Sequence, residues 1–203
     1  MSEAYRVPAQ TIRSELVIRR SRFLTTIAPV ATVACARDFL AGVRAEMPEA
    51  SHHVYGFRVG FGKTVTEGMS DDGEPTGTAG PPTLAVLRGS GIGDIALVTT
   101  RYFGGAKLGT GGLVRAYTEA AQLALEELAT ELKVERRAVG IELPYSLYTI
   151  VLRMIAAHHG NVEDEVFDGQ ALLVARFTLD DLQRFTAELR ERSAGQVAPV
   201  ELD

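Results

Sequence analysis

Three stretches of the chain combine residue types and spacings that can do chemistry. The richest is Thr100-Arg101-Tyr102-Phe103-Gly104-Gly105-Ala106-Lys107-Leu108-Gly109-Thr110-Gly111-Gly112-Leu113-Val114-Arg115. An apolar run feeds a glycine loop, and the loop opens an amphipathic segment. A helix starting near Thr110 leaves its first backbone N–H groups free and carries roughly half a positive charge at that end, which favours an anion. Arg101, Lys107 and Arg115 add full positive charges, while Tyr102 and Phe103 offer stacking surfaces. A phosphate or a nucleic-acid backbone suits this set. The candidate anion-binding residues are therefore Arg101, Gly104, Gly105, Lys107, Gly109, Thr110, Gly111, Gly112 and Arg115. The spacing is neither a Walker loop nor a Rossmann fingerprint. The competing reading is a glycine-assisted tight packing of helix on sheet.

The second stretch is Ser70-Asp71-Asp72-Gly73-Glu74-Pro75-Thr76-Gly77-Thr78-Ala79-Gly80. Asp71, Asp72 and Glu74 repel one another and need compensation, either a hard cation or basic side chains. The spacing does not fit an EF-hand, and a polar loop built on Asx turns serves equally well. The expected partners are Arg101 or Lys107, and no metal or cofactor is assigned. The third stretch is Ser51-His52-His53-Val54-Tyr55. Adjacent histidines on a strand point to opposite faces, so one packed and one exposed ring is expected rather than a shared metal. The single cysteine, Cys35, excludes an intramolecular disulfide and is expected to be a small buried side chain in a helix. No nucleophile–base pair stands out, so the reading leans away from an enzyme without closing that question.

Elements must position these stretches. Alternation predicts strands at 15–19, 22–28 and 54–61, and a buried strand at 95–100. Thr32 is a natural N-cap for a helix to about Glu46. Residues 67–80 read as loop, with a short helix opened by Pro81-Pro82. The longest helix covers about 111–130, with Leu113, Tyr117, Ala120, Ala121, Ala124 and Leu128 on its apolar stripe and Arg115, Glu119, Gln122 and Glu126 opposite. Beyond Leu132 the pattern is β-α-β-β-α-β: strands near 134–143, 161–167, 171–178 and 196–202, and helices near 146–158 and 180–192. Ser146 and Asp180 are read as N-caps and Gly160 as a C′ residue. That order is the ferredoxin-like arrangement. The division is residues 1–132 and 133–203, and the second part is expected to fold alone.

Composition bounds the function. Of the 203 residues, 46% are hydrophobic and 23% charged, which is ordinary for a globular chain. The net charge of −5 argues against a general nucleic-acid coat. Residues 1–132 hold 13 Lys/Arg against 14 Asp/Glu, a net of −1, and residues 133–203 hold 8 against 12, a net of −4. The first part is the better place for an anion site, and fifteen of the twenty glycines lie there between Gly56 and Gly112. No signal-like or membrane-length apolar run is present, so a cytoplasmic location without a membrane partner is the expectation.

Taken together, His52-His53, the Ser70-to-Pro75 loop with Gly77-Thr78-Ala79-Gly80, and the Thr100-to-Gly105 and Gly111-to-Tyr117 runs resemble the signature of the YigZ/IMPACT family, and Ser21-Arg22-Phe23 also fits. The resemblance is strong over residues 14–130, and the acidic tail is similar to the second domain of bacterial members. It implies an α+β fold: an N-terminal left-handed βαβ domain like the fourth domain of the translocating elongation factor, then a ferredoxin-like βαββαβ domain. Eukaryotic members regulate translation with an additional N-terminal recognition domain for which these residues show no counterpart, so that role is not expected. The function expected is an RNA- or ribosome-associated binding protein linked to translation. The alternatives are a metal-assisted enzyme on a phosphorylated or nucleotide-like substrate and a protein–protein adaptor.

Overall fold

The computed structural model describes residues 4–62, 65–134 and 136–202. The chain divides into two compact units, one of Tyr5–Lys133 and one of residues 134–202 joined by Ala4. No helix is long and apolar enough to cross a membrane among the described residues.

The larger unit is built on an antiparallel sheet. Its strands are β2 (Ile12–Ile18), β3 (Ser21–Pro29), β4 (His52–Val59), β5 (Thr66–Ser70) and β6 (Ile95–Tyr102), in the order β2-β3-β6-β4-β5. Helix α1 (Val33–Glu46) links β3 to β4 across β6, and α2 (Gly80–Ser90) links β5 to β6 across β4. The central strand β6 shows why both faces must be covered. Ile95 and Leu97 pack with Leu87 of α2 and with Ala121 and Ala124 of α3 (Thr110–Glu126). Ala96 and Val98 pack on the other side with Ala36 and Val43 of α1. A strand buried on both faces reads as a continuous apolar run rather than an alternation. The stripe expected on α3 is buried from Leu113 to Leu128, and its alanines bring the helix close to the sheet.

A two-stranded sheet of β1 (Ala4–Pro8) and β7 (Thr130–Val134) closes this unit. Asp94 ties it to the main sheet. Its carboxylate accepts from Tyr5 Oη at 2.8 Å and from the Gly60 amide at 2.7 Å, and it pairs with Lys133 Nζ. Burial pushes the Asp94 carboxyl up, but the hydrogen bonds from Lys133, Gly60 and Tyr5 outweigh it and hold it below the usual range.

The smaller unit runs β8 (Arg136–Leu143), α4 (Tyr145–Ala157), β9 (Asn161–Asp168), β10 (Gln170–Thr178), α5 (Leu179–Arg192) and β11 (Val200–Glu201). The sheet order β11-β8-β10-β9, with every neighbour antiparallel, is the ferredoxin-like one. Val139, Ile141, Leu143, Leu173 and Phe177 of the sheet pack with Val151, Ile155, Phe185 and Leu189 of the helices as one core. The α+β class with two such architectures agrees with the sequence reading.

Local expectations need correcting. Residues 67–70, read as the start of a loop, belong to the edge strand β5 (Thr66–Ser70) paired to β4, because glycine and acid content hid a short alternation. Strands β1 and β7 were not anticipated. Thr32 does cap α1, accepting from the Cys35 amide at 3.1 Å, but Cys35 itself is exposed. At N3 its side chain follows the helix outward instead of inward. Helix α5 is capped by Thr178 rather than Asp180, the Thr178 hydroxyl accepting from the Asp181 amide at 3.2 Å. Helix α4 starts after Pro144 rather than at Ser146, and its left-handed terminal residue is His159 (φ 54°) rather than Gly160. Strand β11 is short because Pro199, just before it, offers no N–H to a ladder.

Two outcomes are expected. Asp94→Ala leaves Tyr5, Gly60 and Lys133 without their shared acceptor and should cost about 3 kcal/mol in urea unfolding; a loss under about 1 kcal/mol would contradict this role. Residues 133–203 expressed alone should melt cooperatively in far-UV circular dichroism, since their core is complete, and a spectrum lacking helix would refute their independence.

Candidate functional site

Strand β6 ends at Tyr102, and Phe103 to Gly109 leads into α3. Two glycines are dictated by geometry. A Cβ on Gly104 would sit 2.1 Å from the Arg20 backbone, so only glycine fits there. Gly109 has φ 75° and occupies the N-cap of α3, which therefore has no side-chain cap. The Leu113 amide makes the first intrahelical bond to the Gly109 carbonyl, at 2.9 Å. The amides of Thr110, Gly111 and Gly112 precede it and have no intrahelical acceptor. The first turn contains no acidic residue to occupy them.

Beside this helix start lies a cleft of about 340 Å³. Phe103, Lys107, Gly109 and Thr110 line it, and Glu74 and Arg101 are also among its walls. Lys107 is exposed, Phe103 is half exposed, and Lys107 forms no ion pair among the described residues. A larger open groove of about 1020 Å³ lies between α2 and α3, lined by Pro81, Ala85, Val114 and Leu125. It has only Glu126 as a charged wall, whereas Glu74, Arg101 and Lys107 line the smaller cleft.

Arg101 is not a free charge. It is buried, and Nη1 donates to Glu74 Oε1 at 2.5 Å while Nη2 reaches Ser21 Oγ at 3.4 Å. Its guanidinium lies 5.4 Å from the Phe23 ring centre and 5.6 Å from that of Phe103. Its Nε has no hydrogen-bond partner. Tyr117, buried in α3, donates its hydroxyl to the same Glu74 oxygen at 2.8 Å. Burial, with the Glu74 carboxylate beside it, pushes that hydroxyl far above the ordinary tyrosine range. Ser21 Oγ also accepts from the Gly104 amide at 3.2 Å, which fastens the glycine loop to β3.

The three acids do not form one centre. Glu74 meets Arg101, as expected. Asp72 pairs instead with Arg44 and accepts from the His53 amide at 2.6 Å. Asp71 accepts from the amides of Gly77, Ala79 and Gly80 at 2.8, 2.9 and 2.8 Å, anchoring the start of α2. Burial raises the Asp71 carboxyl, but these three amides outweigh it and leave it lowered. Among the described residues no group of three His, Cys, Asp or Glu side chains could hold a metal ion. Of the histidines, His53 is buried with Nδ1 3.1 Å from Thr100 Oγ1, and burial lowers its pKa. His52 is partly exposed. Arg115 lies on the exposed face of α3 and donates to the Gly111 carbonyl at 3.3 Å, away from the cleft walls.

The fold and this geometry meet known proteins directly. The Impact N-terminal domain model matches residues 19–125, and a domain of unknown function (DUF1949) matches residues 141–196. An IMPACT family member of Haemophilus influenzae is 36% identical over 95% of this chain and 94% of its own. The IMPACT family member YigZ of Escherichia coli is 36% identical over 96% of each chain. The chain belongs to the IMPACT family. A solved structure described as a hypothetical protein superposes with a TM-score of 0.78 at 34% identity, covering 100% of this chain and 99% of the other.

In this IMPACT chain the sequence reading gave Glu74 a basic partner in Arg101, as their 2.5 Å contact bears out, but missed two other partners. Tyr117 was counted only as apolar stripe, although a buried phenol needs an acceptor. Arg44, on α1, gave no signal of its contact with Asp72. Arg101→Ala should cost about 3–5 kcal/mol, because it strands Glu74 as a buried unpaired charge. Lys107→Ala should leave the melting temperature within a degree or two. Calorimetry on both variants checks this, and equal melting temperatures would contradict the structural role of Arg101.

Proposed function

We propose that this chain is a cytoplasmic RNA-binding module that acts at or near the ribosome in the regulation of translation. In this reading the cleft at the start of α3 holds one phosphate of the RNA. The observation that carries it is the uncapped N-terminus of α3, which opens beside half-exposed Phe103 and beside Lys107, which has no ion-pair partner among the described residues. Three amides and one lysine match a phosphate oxygen cluster, and Phe103 presents a ring on which a neighbouring base can stack. Glu74 and Arg101 cancel each other at the cleft, so the net field there comes from Lys107 and the helix end and remains positive.

Arg115 and the two displaced acids drop out of this surface, which contracts to Phe103, Lys107 and Gly109 to Gly112. The metal-assisted alternative loses support because Asp71 and Asp72 are already engaged elsewhere. The adaptor alternative draws on the open α2–α3 groove, which offers no charged anchor beyond Glu126.

The test is fluorescence anisotropy with a short single-stranded RNA at several salt concentrations. Lys107→Ala should weaken binding and reduce the salt slope by about 0.7, the increment for one phosphate on a single strand. Phe103→Ala should cost about 5- to 100-fold through lost stacking. Unchanged affinity and slope in both folded variants would remove the cleft as an RNA site and favour the adaptor reading.

A further inference from the structure

In the smaller unit β9 is the outer strand of its sheet, with β10 as its one neighbour among the described residues. The Glu165 amide donates to the Asp164 side chain at 2.9 Å rather than to β10. In an antiparallel pair, residues whose backbone groups face away from the partner alternate along the strand. Glu165 and Phe167 are such residues, so their backbone groups point out from the free edge. Both sit opposite buried residues of β10, Leu173 and Ala171, so their side chains share the face that carries the helices. There Phe167 lies within 14° of parallel to Tyr145 of α4, with ring centres 6.1 Å apart, and Tyr148 meets Phe167 edge-on at 5.4 Å. Tyr148 Oη donates to Glu165 at 2.6 Å, which fixes this aromatic row beside the edge. Tyr145 and Phe167 remain half exposed.

The charge of this edge is of one sign. Residues 161–168 contain Glu163, Asp164, Glu165 and Asp168 and no Lys or Arg. Glu163 pairs with Arg176 of β10. Asp164, Glu165 and Asp168 have no ion-pair partner among the described residues. An open strand edge is a template for a further strand, and charge decides which strand it accepts. A second copy of β9 would set these acids against one another, and like charges facing across a ladder are destabilising. Nucleic acid meets the same repulsion. An extended segment rich in arginine and lysine meets the reverse. Its backbone continues the ladder, its cations lie beside the unpaired carboxylates, and a guanidinium stacks on the exposed Phe167 or Tyr145 ring.

We propose that the free edge of β9 binds a basic, extended segment of a partner protein by adding it to the four-stranded sheet as a fifth strand. Backbone pairing at Glu165 and Phe167 sets the register. Asp164, Glu165 and Asp168 select basic side chains, and the aromatic row favours arginine over lysine because a flat guanidinium stacks on a ring. This surface lies in the other unit from the cleft at α3 and is opposite in sign to Lys107, so it stands without the RNA reading.

The experiment is fluorescence anisotropy of the full chain with a short labelled peptide of alternating Arg and Thr, at low and at physiological salt. The peptide should bind, more weakly as salt rises, and the same peptide with Glu in place of Arg should not. Methylating the peptide's backbone nitrogens removes its donors and blocks the ladder, and should weaken binding about tenfold or more. Asp164→Asn combined with Asp168→Asn keeps the oxygen that holds the Glu165 amide and should weaken binding about fivefold at low salt. Phe167→Ala should weaken it about two- to fivefold, the size of a cation–π contact at an exposed ring. Lys107→Ala should leave it unchanged. Equal affinity for the methylated peptide overturns the inference, since charge alone then suffices. So does an Arg peptide that fails to bind, or one that binds the folded variants as well as the unaltered chain. Self-association of the full chain that Phe167→Ala abolishes in sedimentation also overturns it, by making a second copy the occupant. Should a variant fail to fold, the Arg peptide and its methylated form on the unaltered chain decide.

Discussion

The buried pair between Glu74 and Arg101 is the contact on which the arrangement of the acidic loop and the glycine loop depends. It joins the loop after β5 to the last buried residue of β6, and through Tyr117 it reaches α3. Desolvating two charges is expensive, and a pair of this kind seldom adds net stability over an apolar replacement. Its effect is positional. Arg101 also reaches Ser21, which holds the Gly104 amide, so one guanidinium sets both the acidic loop and the glycine loop. The Phe23 and Phe103 rings flank it and limit where it can move. Remove either charge and the other is left stranded among aromatic and apolar groups.

That geometry explains which parts of the molecule were legible from the residues alone. Long periodic elements were clear: the stripe of α3, the apolar run of β6, and the order of elements after Leu132. Their signals depend on burial spread over many positions, so single residues do not disturb them. The short edge strand β5 and the pair β1–β7 were hidden, because their pairing is decided by distant partners such as β4 and Asp94. At the site, the glycine loop and the need of Glu74 for a cation could be read locally. The fate of Asp71 and Asp72 could not, since it depends on where the α2 amides and Arg44 come to lie. Charge repulsion demanded partners for all three acids but said nothing about whether the partners were shared.

The net charge of −5 and the proposed anion site are compatible for a reason of range. At physiological ionic strength exposed charges are screened beyond about 8 Å. Within the cleft the balance is local. Glu74 is neutralised there by Arg101, while Asp72 pairs with Arg44 and Asp71 is held by three backbone amides elsewhere. What remains uncompensated nearby is Lys107 and the start of α3.

A surface with one lysine and one helix end has little electrostatic energy to give. Each phosphate contact made through such groups is worth little at physiological salt, so affinity must be gathered from several weak contributions. The same ion pair that fixes the two loops also removes most of the charge that the cleft walls could offer.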